Sequence, residues 1–146
     1  MQQYNQKELD KGAHSVYTLR YHIIWCVKYR RRLLSNTIGD RLKEIVKDIV
    51  DSTGCWCEAV ETDKDHIHIM LRTKPTHNIA NLLKLLKGIS ARLLLIEYPE
   101  LRQSLRNGHL WSPSYYAATV GEVTKETVKH YIDSQREQDQ GRKTAR

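Results

Sequence analysis

The sequence predicts an α+β fold, a mostly antiparallel sheet with two helices on one face and a further helix at the C-terminal end. Three observations predict it. Apolar residues alternate with polar ones at period two in three stretches, near residues 16–29, 55–71 and 110–120. They recur at three- and four-residue spacing in two longer stretches, near 38–52 and 78–98. The two kinds of pattern follow one another as β-α-β-β-α-β, the order of the split βαβ, ferredoxin-like arrangement.

Each element has its own justification. Residues 1–14 are polar, carry no apolar signal region and are expected to form a flexible arm. From Val16 to Tyr29 one face carries Tyr17, Leu19, Tyr21, Ile23, Trp25, Val27 and Tyr29. The other carries Thr18, Arg20, His22, Cys26 and Lys28, with Ile24 breaking the pattern. Arg30-Arg31-Arg32 follows directly. Ile38, Leu42, Ile45, Val46 and Ile49 form the stripe of a first helix, which Gly54 is placed to stop. Cys55 to Thr62 reads as a strand turning at Asp63-Lys64 into a second, Asp65 to Leu71, closed by Pro75. That turn sets Thr62 opposite Asp65, Glu61 opposite His66 and Ala59 opposite His68. Asn78 to Tyr98 is a second helix, with Ile79, Leu82, Leu83, Leu86, Ile89, Leu93 and Leu94 as its stripe and Pro99 beyond its end. A polar loop over 100–109 leads to a strand over 110–120, broken near Pro113. Thr124 is a suitable N-cap for a last helix reaching about Glu137, and 139–146 is a charged tail. Residues 15–138 thus form a single domain.

The chain has 146 residues and a net charge of +7, which favours an anionic partner, most simply nucleic acid. Phe is absent while Tyr numbers 8 and Trp 3, so the aromatics mostly carry a polar handle. Three cysteines, an odd count at low density, fit a reducing compartment. No run is long enough to span a bilayer. The expectation is a soluble, cytoplasmic, DNA- or RNA-facing protein.

The residues with most chemical content lie in Asp65-His66-Ile67-His68-Ile69-Met70-Leu71. On a strand, His66 and His68 share one face and Ile67, Ile69 and Leu71 the other, so two imidazoles stand side by side over an apolar backing. That pair can hold a divalent metal. Glu61, expected opposite His66, is either a partner orienting its imidazole or an ordinary strand carboxylate. Cys55-x-Cys57 followed by His66-x-His68 suggests a zinc site, but the spacing and the expected register put the cysteines away from the histidines. On the last helix Tyr131 and Gln135, four apart, share one face beside Val128 and Ile132. Arg20, Lys28, Arg30, Arg31, Arg32, Lys84, Lys87 and Arg92 are the candidates for contact with a phosphate backbone.

Together these elements resemble the single-tyrosine HUH transposases of the insertion sequence 200/605 family. The Asp65-His66-Ile67-His68 strand is similar to the family's His-hydrophobe-His motif, and Tyr131-Ile132-x-x-Gln135 to its catalytic-tyrosine helix. Supporting similarity runs through Tyr21-His22-Ile23-Ile24-Trp25-Cys26-Val27-Lys28-Tyr29-Arg30, through Leu86-Lys87-Gly88-Ile89-Ser90-Ala91-Arg92 and through Leu110-Trp111-Ser112-Pro113-Ser114-Tyr115-Tyr116. The resemblance implies a Mg²⁺ or Mn²⁺ ion held by His66, His68 and Gln135, and Tyr131 as the nucleophile that cleaves and rejoins single-stranded DNA through a 5′-phosphotyrosine linkage. It further implies a homodimer, subterminal hairpins at the element ends as substrate, and no nucleotide cofactor. The alternatives are a domesticated palindrome-processing nuclease, a replication-initiator-like nickase, and a non-catalytic ferredoxin-like module that binds nucleic acid.

Overall fold

Alternation of side chains between the two faces of a strand decides where everything sits. In the computed structural model, which describes residues 10–12, 16–17, 19–120 and 129–134, the alternating stretches form a four-stranded antiparallel sheet. Its strands are β3 (Arg20–Cys26), β4 (Trp56–Asp63), β5 (His66–Arg72) and β6 (Tyr116–Thr119), in the spatial order β4-β5-β3-β6. A separate two-residue ladder joins β1 (Asp10–Lys11) to β2 (Val16–Tyr17). Helices α1 (Asn36–Ser52) and α2 (Ile79–Glu97) connect β3 to β4 and β5 to β6. Each helix starts on a side-chain cap, Ser35 accepting from the Ile38 amide and Asn78 from the Asn81 amide. Gly54, at φ +80, supplies the left-handed residue just past α1 that other residues adopt only under strain.

One face of the sheet is the main core. Ile23, Trp25, Ile67, Ile69 and Leu71 pack there against Leu42, Val46 and Val50 of α1 and Leu83, Leu86 and Leu94 of α2. Trp111 meets Trp25 edge to face at 5.9 Å and donates its indole N–H to the Ser90 hydroxyl, which satisfies its one polar atom inside the core. The opposite face carries His22, Ile24 and Cys26 of β3 with His66, His68 and Met70 of β5.

The structure departs from the sequence reading at several places. The long strand expected to Tyr29 ends at Cys26, because Tyr29 and Arg30 adopt positive φ. The hairpin turns at Lys64-Asp65, with Asp63 opposite His66 and Glu61 opposite His68. The expected pairing of Glu61 with His66 is thus shifted by two residues, a shift that preserves the face of every side chain. Its cause is long-range: the Asp65 and Lys64 carbonyls accept from the Val27 and Leu34 amides, which ties those two residues into the turn. The arm is also anchored at its inner end, where the Asp10 carboxylate is buried and accepts from Arg72. The expected break near Pro113 is present: Trp111 bridges to Val27, and the strand resumes at Tyr116.

Gly39, in the first turn of α1, has a use that its sequence context hides. A Cβ there would lie 2.8 Å from the Thr62 hydroxyl oxygen, so α1 and β4 approach more closely than alanine allows. In an exposed helix Gly→Ala stabilises by about 1 kcal/mol; here Gly39→Ala is expected to destabilise by about 1–2 kcal/mol through overpacking. Urea denaturation checks this, and a Thr62→Ala background should restore the usual gain.

Candidate functional site

The site is built on the face of the sheet away from α1 and α2. His66 and His68 project there from β5, flanked across the ladders by Cys26 and Ile24 of β3 and by Asp63 and Glu61 of β4. Each imidazole has a partner. His66 Nδ1 lies 2.7 Å from Asp65 Oδ1, and His68 Nε2 lies 3.0 Å from His22 Nδ1. A carboxylate on Nδ1 fixes the ring of His66 and leaves Nε2 to offer a lone pair, the arrangement in which histidines hold metals. In the His22–His68 pair one nitrogen donates and the other accepts, so the contact exists between neutral rings. The His68 atom that could take a metal would then be Nδ1, or Nε2 if a cation replaced His22 there.

The electrostatics agree with the geometry. Burial lowers the pKa of both His22 and His68 below the ordinary imidazole value. For His68 the neighbouring His22 and His66 lower it further, against an opposing pull from Glu61. Asp65 is held below the usual carboxylate range by its bond to His66, against a raising effect of burial, and by Arg30. Neutral His22 and His68 rings and a charged Asp65 carboxylate are protonation states that metal ligation could use.

Residues 129–134 are helical and form α3, which lies over this face. Ile132 packs on Ile24 and Cys26 in a second, smaller apolar cluster, with Tyr116 and Tyr131 against it. The rings of Tyr131 and Tyr116 lie 5.2 Å apart between centroids. Ile24 pairs across the sheet with His68 on one side and Tyr116 on the other, so the packing partners of Tyr131 adjoin the histidines. The structure therefore brings Tyr131, His66 and His68 to one face. Gln135 and the rest of the expected last helix, on either side of 129–134, lie outside the described residues.

Between α3 and the histidine strand sits Arg30. Its Nε and Nη2 reach Asp65 Oδ2 at 3.0 and 2.9 Å, and its Nη1 reaches Asp133 Oδ1 at 3.0 Å. Tyr29 and Arg30 hold φ of 60 and 51, a conformation that costs non-glycine residues about 1–3 kcal/mol each and that collects at functional sites. A cavity of about 350 Å³ opens beside them, lined by Arg30, Arg32, Asp63, Lys64, Asp65 and His66.

The expected DNA-contacting cations separate into groups. Arg20 is corrected: it is 8% exposed and gives its Nε to Glu58, so its charge is spent inside the protein. Lys87 donates to the Ser112 and Ser114 carbonyls, at the edge of a cavity of about 320 Å³ that Lys28, Tyr29 and Trp111 also line. Lys28 and Arg31 both lie over the Tyr29 ring, each 5.5 Å from its centre. Lys84 and Arg92 face outward from α2, beside Leu85 and Ile89, on the side of the molecule away from the histidines. Cys55 and Cys57 pack toward the main core, on the opposite face from His66 and His68. Sequence reasoning missed His22, Asp65 and Asp133 as members of the site. The parity of His22 along β3 was a signal, but its use required knowing that β3 and β5 are neighbours.

The chain is a transposase of the IS200-like family, DNA-cleaving enzymes whose family model, described as "Transposase IS200 like", matches residues 15–135. It is 42% identical over 132 residues to the ISDra2 transposase TnpA of Deinococcus radiodurans, covering 90% of this chain and 94% of that protein. It is 29% identical over 127 residues to the transposase for insertion sequence element IS200 of Salmonella typhimurium, covering 87% and 83%. A crystal structure of a putative transposase from Deinococcus radiodurans matches with a TM-score of 0.82 at 40% identity, over 86% of this chain and 97% of that one. A REP-associated tyrosine transposase bound to a REP hairpin matches with a TM-score of 0.53 at 14% identity, over 91% and 69%, a likeness of fold alone.

The neutral His22–His68 pair has a consequence for stability. Both pKa values are lower in the folded chain, so on acidification the unfolded state takes up protons first. Their contribution is intact above the ordinary imidazole value of about 6.5 and is lost as pH falls through the folded values. With metal chelated, the urea midpoint should drop between about pH 7 and about pH 5, and His22→Asn should flatten that drop.

Proposed function

We propose that this chain cleaves and rejoins single-stranded DNA at insertion-sequence ends, with Tyr131 as nucleophile and a divalent metal at His66 and His68. The observation that carries the reading is the position of Tyr131 and both histidines on one face of one sheet, bridged by Arg30. The strand order β4-β5-β3-β6, with a helix after the first and third strands of the sheet in chain order, supports reading the fold as ferredoxin-like, with the tyrosine carried on an extra C-terminal helix.

The donor set fits Mg²⁺ or Mn²⁺. Two imidazoles, one already oriented by a carboxylate, leave coordination positions for oxygen, and the amide of Gln135 is the proposed third ligand. Nitrogen ligands favour Mn²⁺ over Mg²⁺ on softness. When bound, such an ion supplies Lewis acidity toward a phosphodiester oxygen. The chain's own residues do the rest. The Tyr131 oxygen attacks phosphorus; the O–P bond to tyrosine forms as the bond to the departing 3′-oxygen breaks, and the phenolic proton leaves to a base or water. A phenol has an ordinary pKa of about 10, so this proton transfer needs assistance. The 5′-phosphotyrosine keeps one ester bond for the one broken, so a second 3′-hydroxyl can reverse the attack without a nucleotide cofactor.

The proposed substrate carries a hairpin near each end, in keeping with the hairpin held by the structural neighbour, and the proposed working form is a homodimer. The greater identity to insertion-sequence transposases favours this reading over a domesticated palindrome-processing nuclease.

Incubating the protein with hairpin-bearing single-stranded DNA and Mn²⁺ should give a denaturant-resistant adduct. Tyr131→Phe should abolish it, and His66→Ala or His68→Ala should weaken it at least about tenfold. An adduct that survives Tyr131→Phe would remove the nucleophile assignment. Unchanged Mn²⁺ affinity in Gln135→Ala would remove the third ligand.

A further inference from the structure

We infer that Arg30 is a positioning residue that latches the tyrosine helix to the histidine strand, through a chain of contacts running Asp133–Arg30–Asp65–His66. The inference rests on the proposed roles of Tyr131 and His66 and adds to them the link between the two.

One guanidinium serves both ends. Its Nε and Nη2 edge meets Asp65 Oδ2, and Nη1 points the other way to Asp133 Oδ1, two residues beyond Tyr131 on α3. The other Asp65 oxygen meets His66 Nδ1. A planar fork with donors on three nitrogens can hold two carboxylates at fixed angles, whereas an ammonium is a point charge that cannot. The backbone is committed to this placement: Arg30 adopts positive φ, and its amide donates to the Val27 carbonyl at 2.8 Å.

The two ends of the chain differ in strength. Arg30 and Asp65 are 21% and 15% exposed, and three donors converge on Asp65, two from Arg30 and one from His66. Asp133 is 58% exposed and makes a single contact with Arg30. Exposed single pairs are weak and screened by salt; shielded, multiply bonded ones are not. Arg30 therefore stays with the histidine strand, and the helix is the part that lets go. Loss of the outer contact loosens the helix that carries Tyr131, which its apolar packing still holds, without disturbing the histidines, whereas loss of the inner one disturbs both.

Two readouts separate these roles: amide hydrogen exchange over residues 129–134 and Mn²⁺ affinity, measured on the full chain without DNA. Asp133→Asn should raise exchange over 129–134 about twofold to fivefold, the loosening expected for one exposed ion pair, and should leave Mn²⁺ affinity within about twofold. Asp65→Asn should lower Mn²⁺ affinity about tenfold, as loss of a histidine's orienting partner does. Arg30→Lys, which keeps the charge and loses the fork, should move both readouts. Raised salt should increase exchange over 129–134 in the parent chain and much less in Asp133→Asn. Unaltered exchange in Asp133→Asn overturns the latch. Equal loss of Mn²⁺ affinity in Asp133→Asn and Arg30→Lys overturns the division between its two ends. A parent chain with no Mn²⁺ affinity overturns the metal reading and the His66 half of this inference, while the exchange comparison still decides the latch.

Discussion

On the open face of the sheet, fully buried Ile24 and Cys26 lie beside imidazoles that need polar partners. Only a covering element that is apolar toward the first and polar toward the second can close over them. Helix α3 has that character. Ile132 and the Tyr131 ring cover Ile24 and Cys26, and Asp133 reaches the guanidinium that leads back to the histidines. Burying one isoleucine is worth about 1.5–3 kcal/mol, and an exposed ion pair about 0–1 kcal/mol. Apolar packing thus supplies most of the energy that holds the helix, and the ion pair sets its position along the sheet. The location of Tyr131 follows from Ile24, a residue with no chemistry of its own.

The histidines depend on the same economy of partners. Two half-buried imidazoles side by side would repel if both were charged, and the contact between His22 and His68 needs only one proton. His66, bonded instead to a carboxylate, sits in a different environment one strand position away. The pair in the His-x-His motif is therefore unlike in its support, one ring oriented by an anion and the other by a neutral base. Burial and its histidine neighbours favour the neutral form of His68, which offers a lone pair without first shedding a proton.

Much of this was legible in the sequence, for identifiable reasons. Period-two and 3.6-residue patterns located six of the main elements, and Gly54, Asn78 and Pro99 marked helix ends to within a few residues. Ile24, the exception to the alternation of β3, was the visible sign that the second face is covered. What the sequence could not supply was pairing between distant strands. Glu61 faces His68 because the turn falls at Lys64-Asp65, and the turn falls there because amides of Val27 and Leu34 capture its carbonyls. Those amides lie some thirty residues away, beyond any local pattern. Arg20 misled for a similar reason. Its alternation placed it on a basic face, but Glu58 sits across the sheet at a register irregularity and takes its charge.

Charge alone, then, is a poor guide to where DNA would lie, and backbone conformation is a better one. Of the cations near the histidines, Arg30 is turned inward to two carboxylates, while Arg32 lines the cavity beside His66 and Arg31 and Lys28 lie over Tyr29. Positive φ at Tyr29 and Arg30 turns the chain at the end of β3, and Arg30 and Arg32 come to line the cavity beside His66 while Arg31 lies over the Tyr29 ring. The strain of that turn is local, and the packing on either side of it, Val27 to the Asp65 turn and Leu34 to Lys64, is what maintains it. A phosphate approaching His66 would meet Arg32 and Lys64 at the cavity rim, with Arg30 behind them already neutralised by its carboxylates. The turn thus divides positive charge between Arg30, committed to Asp65 and Asp133, and Arg32 and Lys64 at the cavity rim, a division that the run Arg30-Arg31-Arg32 does not disclose.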